Sequence, residues 1–154
     1  QAVKRAQRTS SSLALMFVDL DKFKPINDTY GHEAGDFMLQ TVAKRLSGCL
    51  RASDTAARVG GDEFLVLLPD IPSGADALAV AEKIRSALAE PCISPEGIEL
   101  CISASIGIAI YPEHAGSEHE LLRLGDRAMY EAKSAGGNRV KLFSPEDGAG
   151  HSAA

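Results

Sequence analysis

The sequence has few cysteines and no long apolar run, and both shortages disfavour whole classes of protein. Its three cysteines, Cys49, Cys92 and Cys101, are scattered and form no C-x-x-C pair. A disulfide scaffold and a zinc site are therefore poor interpretations, and buried thiols in a reducing cytosol fit better. No apolar run approaches the roughly 18 residues that a membrane span needs, and no signal peptide is visible. We therefore expect a cytoplasmic domain that makes no membrane contact of its own.

Positive charge is also in short supply. The chain has 16 Lys and Arg against 21 Asp and Glu, which gives a net charge of −5 at pH 7. This balance argues against a nucleic-acid partner, because such a surface is basic. It does not exclude one phosphorylated small molecule, since a bound divalent cation can supply the missing positive charge.

Several common site motifs are missing as well. The first apolar run is followed neither by G-x-G-x-x-G nor by a P-loop lysine, so a doubly wound nucleotide fold is disfavoured. His32 and Glu33 are adjacent but do not form H-E-x-x-H, which disfavours a zinc hydrolase. No internal repeat is visible in the 154 residues, a length that fits one domain.

The hydrophobic pattern predicts the element order β-α-β-β-α-β-α-β. The predicted strands cover residues 13–20, 57–59, 64–68, 99–111 and 139–143, and the predicted helices cover 34–50, 74–90 and 117–135. Residues 25–32 are either a turn or a short helix with Pro25 at its first position. This order indicates an α+β fold: a layered α/β sandwich with ferredoxin-like connectivity, whose mostly antiparallel central sheet is flanked by helices and carries a β-hairpin.

The same pattern predicts how the chain is divided. Residues 1–12 are expected to be the end of an N-terminal helix and a linker, residues 13–144 the domain, and residues 145–154 a flexible tail.

Acidic side chains end the first strand and occupy the hairpin tip. Asp19 and Asp21 are two residues apart, so they face the same way on a strand. In a ferredoxin-like sheet the first strand can lie beside the hairpin, which would bring Asp19 towards Asp62 and Glu63. Three carboxylates and the Leu20 carbonyl make an oxygen site suited to Mg²⁺, and phosphate oxygens can complete such a site for metal-assisted phosphoryl transfer.

Each part of this cluster also has a purely structural interpretation. In this interpretation the first strand simply ends in an acidic loop. Gly60 and Gly61 can supply unusual φ angles to a tight turn, which leaves Asp62 and Glu63 as solvated turn acids. Arg51 and Asp54, just before the hairpin, form an R-x-x-D that is usually a local ion pair of small value.

The segment after the first strand carries groups that suit a purine nucleotide. Lys24 can reach phosphates, and Asn27 and Asp36 offer the amide and carboxylate that read a purine edge, since a carboxylate accepts from guanine N1–H and N2–H. The alternative for His32 is a hydrogen bond at a helix entry. The alternative for Lys133 is a cation that complements the dipole at a helix end.

Four blocks of sequence together resemble a known family. "DLDKFKPINDTYGHEAGD", "RVGGDEF", "SASIGIAIYP" and "DRAMYEAKSAGGNRV" occur in this order over roughly residues 13–143, and they resemble the GGDEF domain of bacterial diguanylate cyclases. The resemblance implies condensation of two GTP into cyclic di-GMP with release of two pyrophosphates. It also implies a homodimer in which the 3′-hydroxyl of one GTP attacks the α-phosphorus of the other, with two Mg²⁺ or Mn²⁺ ions per active half-site.

The resemblance assigns roles to individual residues. It implies metal ligation by Asp19, Leu20, Asp62 and Glu63, with Asp62, Glu63 and Lys24 as the catalytic residues. The implied contacts to GTP come from Asp21, Lys22, Phe23, Lys24, Asn27, His32, Asp36, Gly60, Gly61 and Lys133. The implied inhibitory site for the product comprises Arg51, Asp54 and Lys83, where Lys83 stands in place of the family's arginine. Gly137 stands where many relatives carry a basic residue, and Arg139 is close enough in sequence to substitute for it.

Two other functions compete with an active cyclase. One is a regulatory module that binds GTP or cyclic di-GMP and tunes a phosphodiesterase domain in the same protein. The other is a different nucleotidyl cyclase or a polymerase-palm relative, although Asn27 and Asp36 favour guanine. The resemblance also implies that the full-length protein carries a fused sensor or phosphodiesterase domain.

Overall fold

The structure is a computed structural model that describes residues 2–145. The helices and strands, in chain order, are α1 (Ala2–Thr9), β1 (Leu13–Asp21), α2 (Phe23–Tyr30), α3 (His32–Gly48), β2 (Thr55–Arg58), β3 (Glu63–Pro69), α4 (Gly74–Leu88), β4 (Cys92–Ile93), β5 (Glu99–Leu100), β6 (Ser103–Tyr111), α5 (Glu118–Ser134) and β7 (Arg139–Leu142). Most of the predicted flexible tail, residues 146–154, lies outside the described residues.

A five-stranded sheet organises the domain in the order β2-β3-β1-β6-β7. β6 and β7 run parallel, and the other neighbours pair antiparallel. The predicted mostly antiparallel sheet flanked by helices is therefore confirmed. β1 lies in the middle of the sheet, and the hairpin formed by β2 and β3 lies at one edge.

Both faces of β1 are buried, and alternate residues serve two different cores. One face packs with α2, α3 and α4 and includes Ala14, Met16, Val18 and Leu20. The other face packs with α1 and α5 and includes Leu13, Leu15 and Phe17. Asp19 and Asp21 continue the second series, so the acidic end of β1 lies on the α5 side of the sheet.

The helix ends follow local signals in the sequence. The Ser73 hydroxyl caps α4 and the Ser117 hydroxyl caps α5, each by accepting a backbone N–H three residues ahead. α5 ends where Gly137, with φ of +73°, donates its N–H to the Ala132 carbonyl at 3.1 Å. Among residues 2–145, no helix combines the length and the apolar character needed to cross a membrane.

Two predictions about local structure were wrong. The single strand predicted over residues 99–111 is two strands, because β5 leaves the main sheet and pairs with β4 through a turn at Gly97, whose φ is +85°. Residues 25–30 do lie in a helix, but α2 begins at Phe23, so Pro25 is its third residue; Gly31 ends this helix and His32 begins α3. Strands of only two residues are too short for a hydrophobic pattern to reveal.

The cysteines are more accessible than expected. Cys49 and Cys92 are half-buried, and Cys101 is exposed. The prediction of buried thiols was therefore wrong. Cys101 follows β5 at the point where the chain passes from the small sheet to β6, and this passage leaves its side chain in solvent.

Candidate functional site

The register of β1 and β3 brings the predicted acids together. Asp19 lies directly opposite Glu63 in the antiparallel pair, and residues in such positions have Cβ atoms about 4.5–5.5 Å apart. The Leu20 N–H donates to the Asp62 carbonyl at 3.0 Å, which fixes the hairpin tip against the end of β1. The two acidic segments therefore meet at one end of the sheet.

Lys133, on α5, makes direct contact with this acidic end. Its Nζ lies 2.8 Å from Asp19 Oδ2, and it also donates to the Leu20 carbonyl at 3.4 Å. The side chain of Asp19 is 16% exposed and that of Lys133 is 38% exposed. The ammonium therefore contacts two of the oxygen groups that the sequence pattern assigns to a metal ion.

Burial and neighbouring charges both shift the pKa values of the acids of this site, and burial has the larger effect. Burial raises the pKa of Asp19; the hydrogen bond and charge of Lys133 lower it, and the charge of Asp62 raises it again. Burial also raises the pKa of Glu63, as do the charges of Asp19 and Asp126, while Lys133 lowers it. Both pKa values end above the ordinary value, so Lys133 does not offset the combined effect of burial and the neighbouring acids.

One carboxylate oxygen of this cluster has no partner. Asp19 Oδ1 is buried and accepts no hydrogen bond, which is costly for a charged oxygen. Within residues 2–145, no three Asp, Glu, His or Cys side chains converge closely enough to hold a metal ion by themselves. The available donors are carboxylate and carbonyl oxygens, the ligands that Mg²⁺ and Mn²⁺ prefer. The residues therefore fit a divalent cation that takes some of its ligands from outside this cluster.

A cavity of about 350 Å³ connects the hairpin tip with the predicted purine-binding segment. It is lined by Phe23, Lys24, Asn27, His32, Asp36, Leu39, Arg58, Gly61 and Asp62. Two of these residues, Leu39 and Arg58, were not predicted from the sequence. Leu39 lies three positions after Asp36 in α3 and so shares its face, a spacing that could have identified it.

α2 and α3 approach each other closely at Gly35. A Cβ atom on Gly35 would lie 1.7 Å from Asn27 Oδ1. The position of the Asn27 carboxamide in the cavity therefore depends on a glycine in α3. Sequence analysis missed Gly35, although an isolated glycine in a helical pattern usually has a packing or functional reason.

The hairpin tip is held by its own backbone and by one arginine. The N–H groups of Val59 and Gly60 both donate to the Glu63 carbonyl, at 2.9 and 3.3 Å. Arg58 Nε donates to the carbonyls of Gly60 and Gly61, at 3.1 and 3.0 Å. Arg58 thus restrains the segment that precedes the two acids.

The glycines of the tip are not explained by the turn itself. Neither Gly60 nor Gly61 has a positive φ, so the unusual φ angles of the structural interpretation are absent. A Cβ on Gly60 would meet only the Glu63 Cβ, at 3.7 Å, and one on Gly61 would meet nothing within 4 Å. Neither backbone strain nor internal packing therefore requires glycine here.

Asp21 does not line the cavity and is engaged elsewhere. Its carboxylate accepts hydrogen bonds from the hydroxyls of Ser103 and Ser105, at 2.6 and 2.7 Å. It also accepts the N–H of Asn138 at 2.8 Å. A Cβ atom on Gly137 would lie 3.0 Å from this carboxylate. Asp21 therefore ties β6 and the turn after α5 to β1.

The residues that begin α2 follow Asp21 directly in the chain, and two of them line the cavity. Lys22 precedes the helix in the left-handed conformation, with φ of 56°, and makes no side-chain cap. Phe23 is buried and Lys24 is exposed, and both line the cavity. His32 is exposed at the first position of α3.

Arg51 and Asp54 form the local ion pair that their spacing suggests. Arg51 Nη2 lies 2.8 Å from Asp54 Oδ1 and also donates to the Pro69 carbonyl at 2.8 Å. The hydrogen bond to Asp54 raises the pKa of Arg51. Lys83 is exposed on α4, and its carbonyl accepts the Cys49 thiol at 4.0 Å, so α4 passes close to the segment that leads to Arg51.

The chain matches a family model described as "Diguanylate cyclase, GGDEF domain" over residues 1–139. It is 47% identical over 133 residues to the diguanylate cyclase TpbB of Pseudomonas aeruginosa, covering 86% of this chain and 31% of that protein. It is also 48% identical over 144 residues to MucR of P. aeruginosa, named a bifunctional diguanylate cyclase and cyclic di-GMP phosphodiesterase, covering 93% of this chain and 21% of that protein. The chain thus spans a third or less of these two relatives.

Solved structures give the same result. The GGDEF domain of P. aeruginosa TpbB is 45% identical with a TM-score of 0.90, covering 93% of this chain and 89% of that chain. The GGDEF domain of Caulobacter crescentus DgcB, solved in complex with cyclic di-GMP, is 29% identical with a TM-score of 0.84, covering 92% of this chain and 84% of that chain. The sequence blocks, the sheet order and these likenesses agree, and the chain belongs to the GGDEF domain family of diguanylate cyclases.

Proposed function

We propose that this chain is a diguanylate cyclase domain that acts on GTP. The 3′-hydroxyl oxygen of one GTP attacks the α-phosphorus of a second, the bond to pyrophosphate breaks, and the hydroxyl proton is released. A reciprocal transfer then closes the ring, so two GTP give one cyclic di-GMP and two pyrophosphates. The observation that carries the proposal is the alignment of Asp19 with Glu63 at the hairpin tip, next to a cavity that also contains the predicted guanine-reading residues.

The acidic oxygens would hold the metal ions of this reaction. In the proposal Asp19, the Leu20 carbonyl, Asp62 and Glu63 are ligands of Mg²⁺ or Mn²⁺, two ions per active half-site. The bound cations supply positive charge that offsets the phosphates and stabilises charge developing in phosphoryl transfer. The buried, unpartnered Asp19 Oδ1 supports this assignment, because a cation would give it the partner it lacks.

The cavity would bind the nucleotide. Asn27 and Asp36 offer one amide and one carboxylate to the guanine edge, and both line the same cavity as the tip. Lys24 is exposed in the first turn of α2 and would neutralise phosphates. Gly60 and Gly61 leave open space that side chains would fill. Asp62 and Glu63 would then act next to the α-phosphate.

Catalysis in this proposal needs two GTP-loaded chains that face each other. The test is to incubate the protein with GTP and Mg²⁺ over a range of protein concentrations and to quantify cyclic di-GMP and pyrophosphate. We expect two pyrophosphates per cyclic di-GMP and a rate that rises faster than linearly with protein concentration. Asp62→Asn is expected to abolish product, and Asp28→Asn, an exposed acid of α2 outside the lining, is the matched control. No product from the parent chain at any concentration would contradict the proposal.

A regulatory module is the second candidate. Gly137, in the turn after α5, supports it, because this position offers no basic side chain to a phosphate. A Cβ atom on Gly137 would lie 3.0 Å from the Asp21 carboxylate. In this case the domain would bind GTP or cyclic di-GMP and tune a phosphodiesterase domain in the same protein. Binding of GTP without any turnover would favour this candidate. ATP competing as well as GTP would instead favour a different nucleotidyl cyclase.

We further infer product inhibition at Arg51, Asp54 and Lys83, in a cytoplasmic protein that joins this domain to a sensor or phosphodiesterase domain. Half of the Arg51 side chain is exposed, 51%, while Asp54 is buried beneath it, so the guanidinium can present donors to a phosphate or guanine edge. Addition of cyclic di-GMP should slow the parent chain and leave Arg51→Ala at its initial rate. Because Arg51 also holds the Pro69 carbonyl, the Tm of the variant must be measured alongside.

A further inference from the structure

We propose that Lys133 is a removable internal cation: its ammonium occupies the acidic site until a metal–nucleotide complex binds, and then moves to the phosphates. The inference deepens the proposed function, because it takes the ligand of the site to be metal-bound GTP. It gives the Lys133 ammonium two positions: one on Asp19 and the Leu20 carbonyl before the ligand binds, and one on the phosphates afterwards. Its consequence is that metal and nucleotide bind together rather than independently.

The contacts of Lys133 are those of a competitor for the metal. Its Nζ bonds Asp19 Oδ2 at 2.8 Å and the Leu20 carbonyl at 3.4 Å. Both oxygens belong to the set that fits a divalent cation. Asp19 Oδ1 is open to a metal ion, but a divalent cation bound to Asp19 and the Leu20 carbonyl would be repelled by an ammonium on the same two groups, so each cation weakens the binding of the other. The contact is therefore part of the site and not a neighbouring ion pair.

The acids around Lys133 explain why its ammonium stays there. Asp19 lies opposite Glu63 in the sheet, the Leu20 N–H holds the Asp62 backbone at the same end, and the Lys133 ammonium lies 2.8 Å from Asp19 Oδ2. Without it, partly buried carboxylates would face one another uncompensated. The lysine thus stabilises the acidic site at the stage when no metal is bound.

The same lysine is free enough to leave. Its side chain is 38% exposed, and lysine carries its charge on a flexible four-carbon stem. An arriving phosphate offers the ammonium a new anionic partner, while the metal takes over Asp19 and Leu20. A metal ion alone offers no such partner, so it must displace the lysine into water. Nucleotide and metal are therefore coupled through one side chain.

Competition of this kind lowers the apparent affinity for the metal alone. If the ammonium occupies the oxygens about nine-tenths of the time, the apparent affinity falls about tenfold. The test is a Mn²⁺ titration without nucleotide, followed by the loss of the free-ion signal in electron paramagnetic resonance. We expect Lys133→Met, which keeps the apolar stem, to bind Mn²⁺ about tenfold more tightly than the parent chain.

Two controls locate the effect. Lys44→Met removes one exposed positive charge from α3, away from the acids, and is expected to leave Mn²⁺ affinity within about twofold of the parent chain. Asp19→Asn in the Lys133→Met background is expected to abolish the gain. Equal Mn²⁺ affinity in Lys133→Met and the parent chain would overturn the proposal, as would an equal gain in Lys44→Met.

A second measurement needs no variant. Acetylation of the unmodified protein, read residue by residue by mass spectrometry, should accelerate severalfold at Lys133 when Mn²⁺ saturates the site, while Lys44 stays unchanged. An unchanged Lys133 rate at saturating Mn²⁺ would overturn the proposal. Cyclic di-GMP synthesis is measured separately, so a chain that shows the lysine–metal competition but makes no product refutes only the proposed function. A chain that makes product without this competition refutes only the inference.

Discussion

The Asp21 carboxylate accepts the backbone N–H of Asn138 at 2.8 Å. This bond joins the end of β1 to the turn that follows α5, and the same carboxylate holds the hydroxyls of Ser103 and Ser105. Lys133 lies in the last turn of α5, immediately before this turn. Asp21, which does not line the cavity, therefore helps to fix the backbone from which the Lys133 side chain extends.

Asp21→Ala should destabilise the domain. The substitution leaves two hydroxyls and one N–H without their acceptor, and we expect the free energy of unfolding to fall by about 1–3 kcal/mol. Urea denaturation measures it. Asp28→Ala, at an exposed position of α2, should change it by less than about 0.5 kcal/mol. A loss no larger for Asp21→Ala than for Asp28→Ala would show that the three-donor contact contributes nothing.

Gly35→Ala should weaken GTP binding. The new Cβ would lie 1.7 Å from Asn27 Oδ1, so the carboxamide must move away and lose its place in the cavity. The loss of one recognition hydrogen bond should reduce GTP affinity about five- to tenfold, measured by calorimetry. Gly48→Ala is a matched control in the same helix, since its Cβ would meet nothing within 4 Å. Equal affinities in the two variants would contradict the assignment of Asn27 to guanine.

Arg58→Ala should slow catalysis without unfolding the protein. Arg58 restrains the tip through the carbonyls of Gly60 and Gly61, and misplacement of catalytic groups by about 1 Å can cost up to about 100-fold in rate. We expect kcat for cyclic di-GMP formation to fall at least about tenfold while Tm stays unchanged. Arg123→Ala, at an exposed position of α5, should leave both quantities as they are. A parallel loss of Tm would mean that Arg58 supports the fold instead.

Glu63→Gln should stabilise the domain at neutral pH. Burial and the charges of Asp19 and Asp126 raise the pKa of Glu63. An acid whose folded pKa exceeds its unfolded value contributes stability below the unfolded pKa and loses it as pH rises through the folded pKa. The amide has no charge to repel, so Tm of the variant should exceed that of the parent chain at pH 7. The gain should shrink towards zero below about pH 4.

The measurement is thermal unfolding across this pH range in a chelator, which keeps divalent ions from compensating the charge. Glu96→Gln, at an exposed position of the turn between β4 and β5, is the control and should show no such pH dependence. The same Tm difference at every pH would assign the effect of Glu63→Gln to packing rather than to charge.

The sequence predicted those features that depend on local patterns. Apolar periodicity identified β1 and the long helices, although the third long helix was predicted to begin at Ser117, which the structure shows to be its cap. The meeting of Asp19 with the hairpin tip was also predictable, since it follows from the topology of the sheet. The site was therefore predictable wherever the fold alone brings two segments together.

Contacts between distant side chains were not predictable. The contact of Lys133 with the Leu20 carbonyl spans 113 positions, and no local pattern distinguishes it from a lysine at a helix end. The crowding of Gly35 against Asn27 depends on the approach of two helices, and the pairing of β4 with β5 involves only two residues on each strand. Tertiary packing decides all three, so propensity and spacing could not have identified them.

The position of β2 at the edge of the sheet gives the domain an uneven resistance to local unfolding. All four β2 residues are exposed, and this strand pairs with β3 alone, whereas β1 is paired on both sides. Amides of β1 should therefore exchange with solvent only through global unfolding, and those of β2 through a smaller opening. Gly60, Gly61 and Asp62 lie next to β2, which is expected to open first, whereas Asp19 lies in β1, which is expected to open last. Local unfolding of β2 is therefore expected to stop the proposed reaction while the core stays folded.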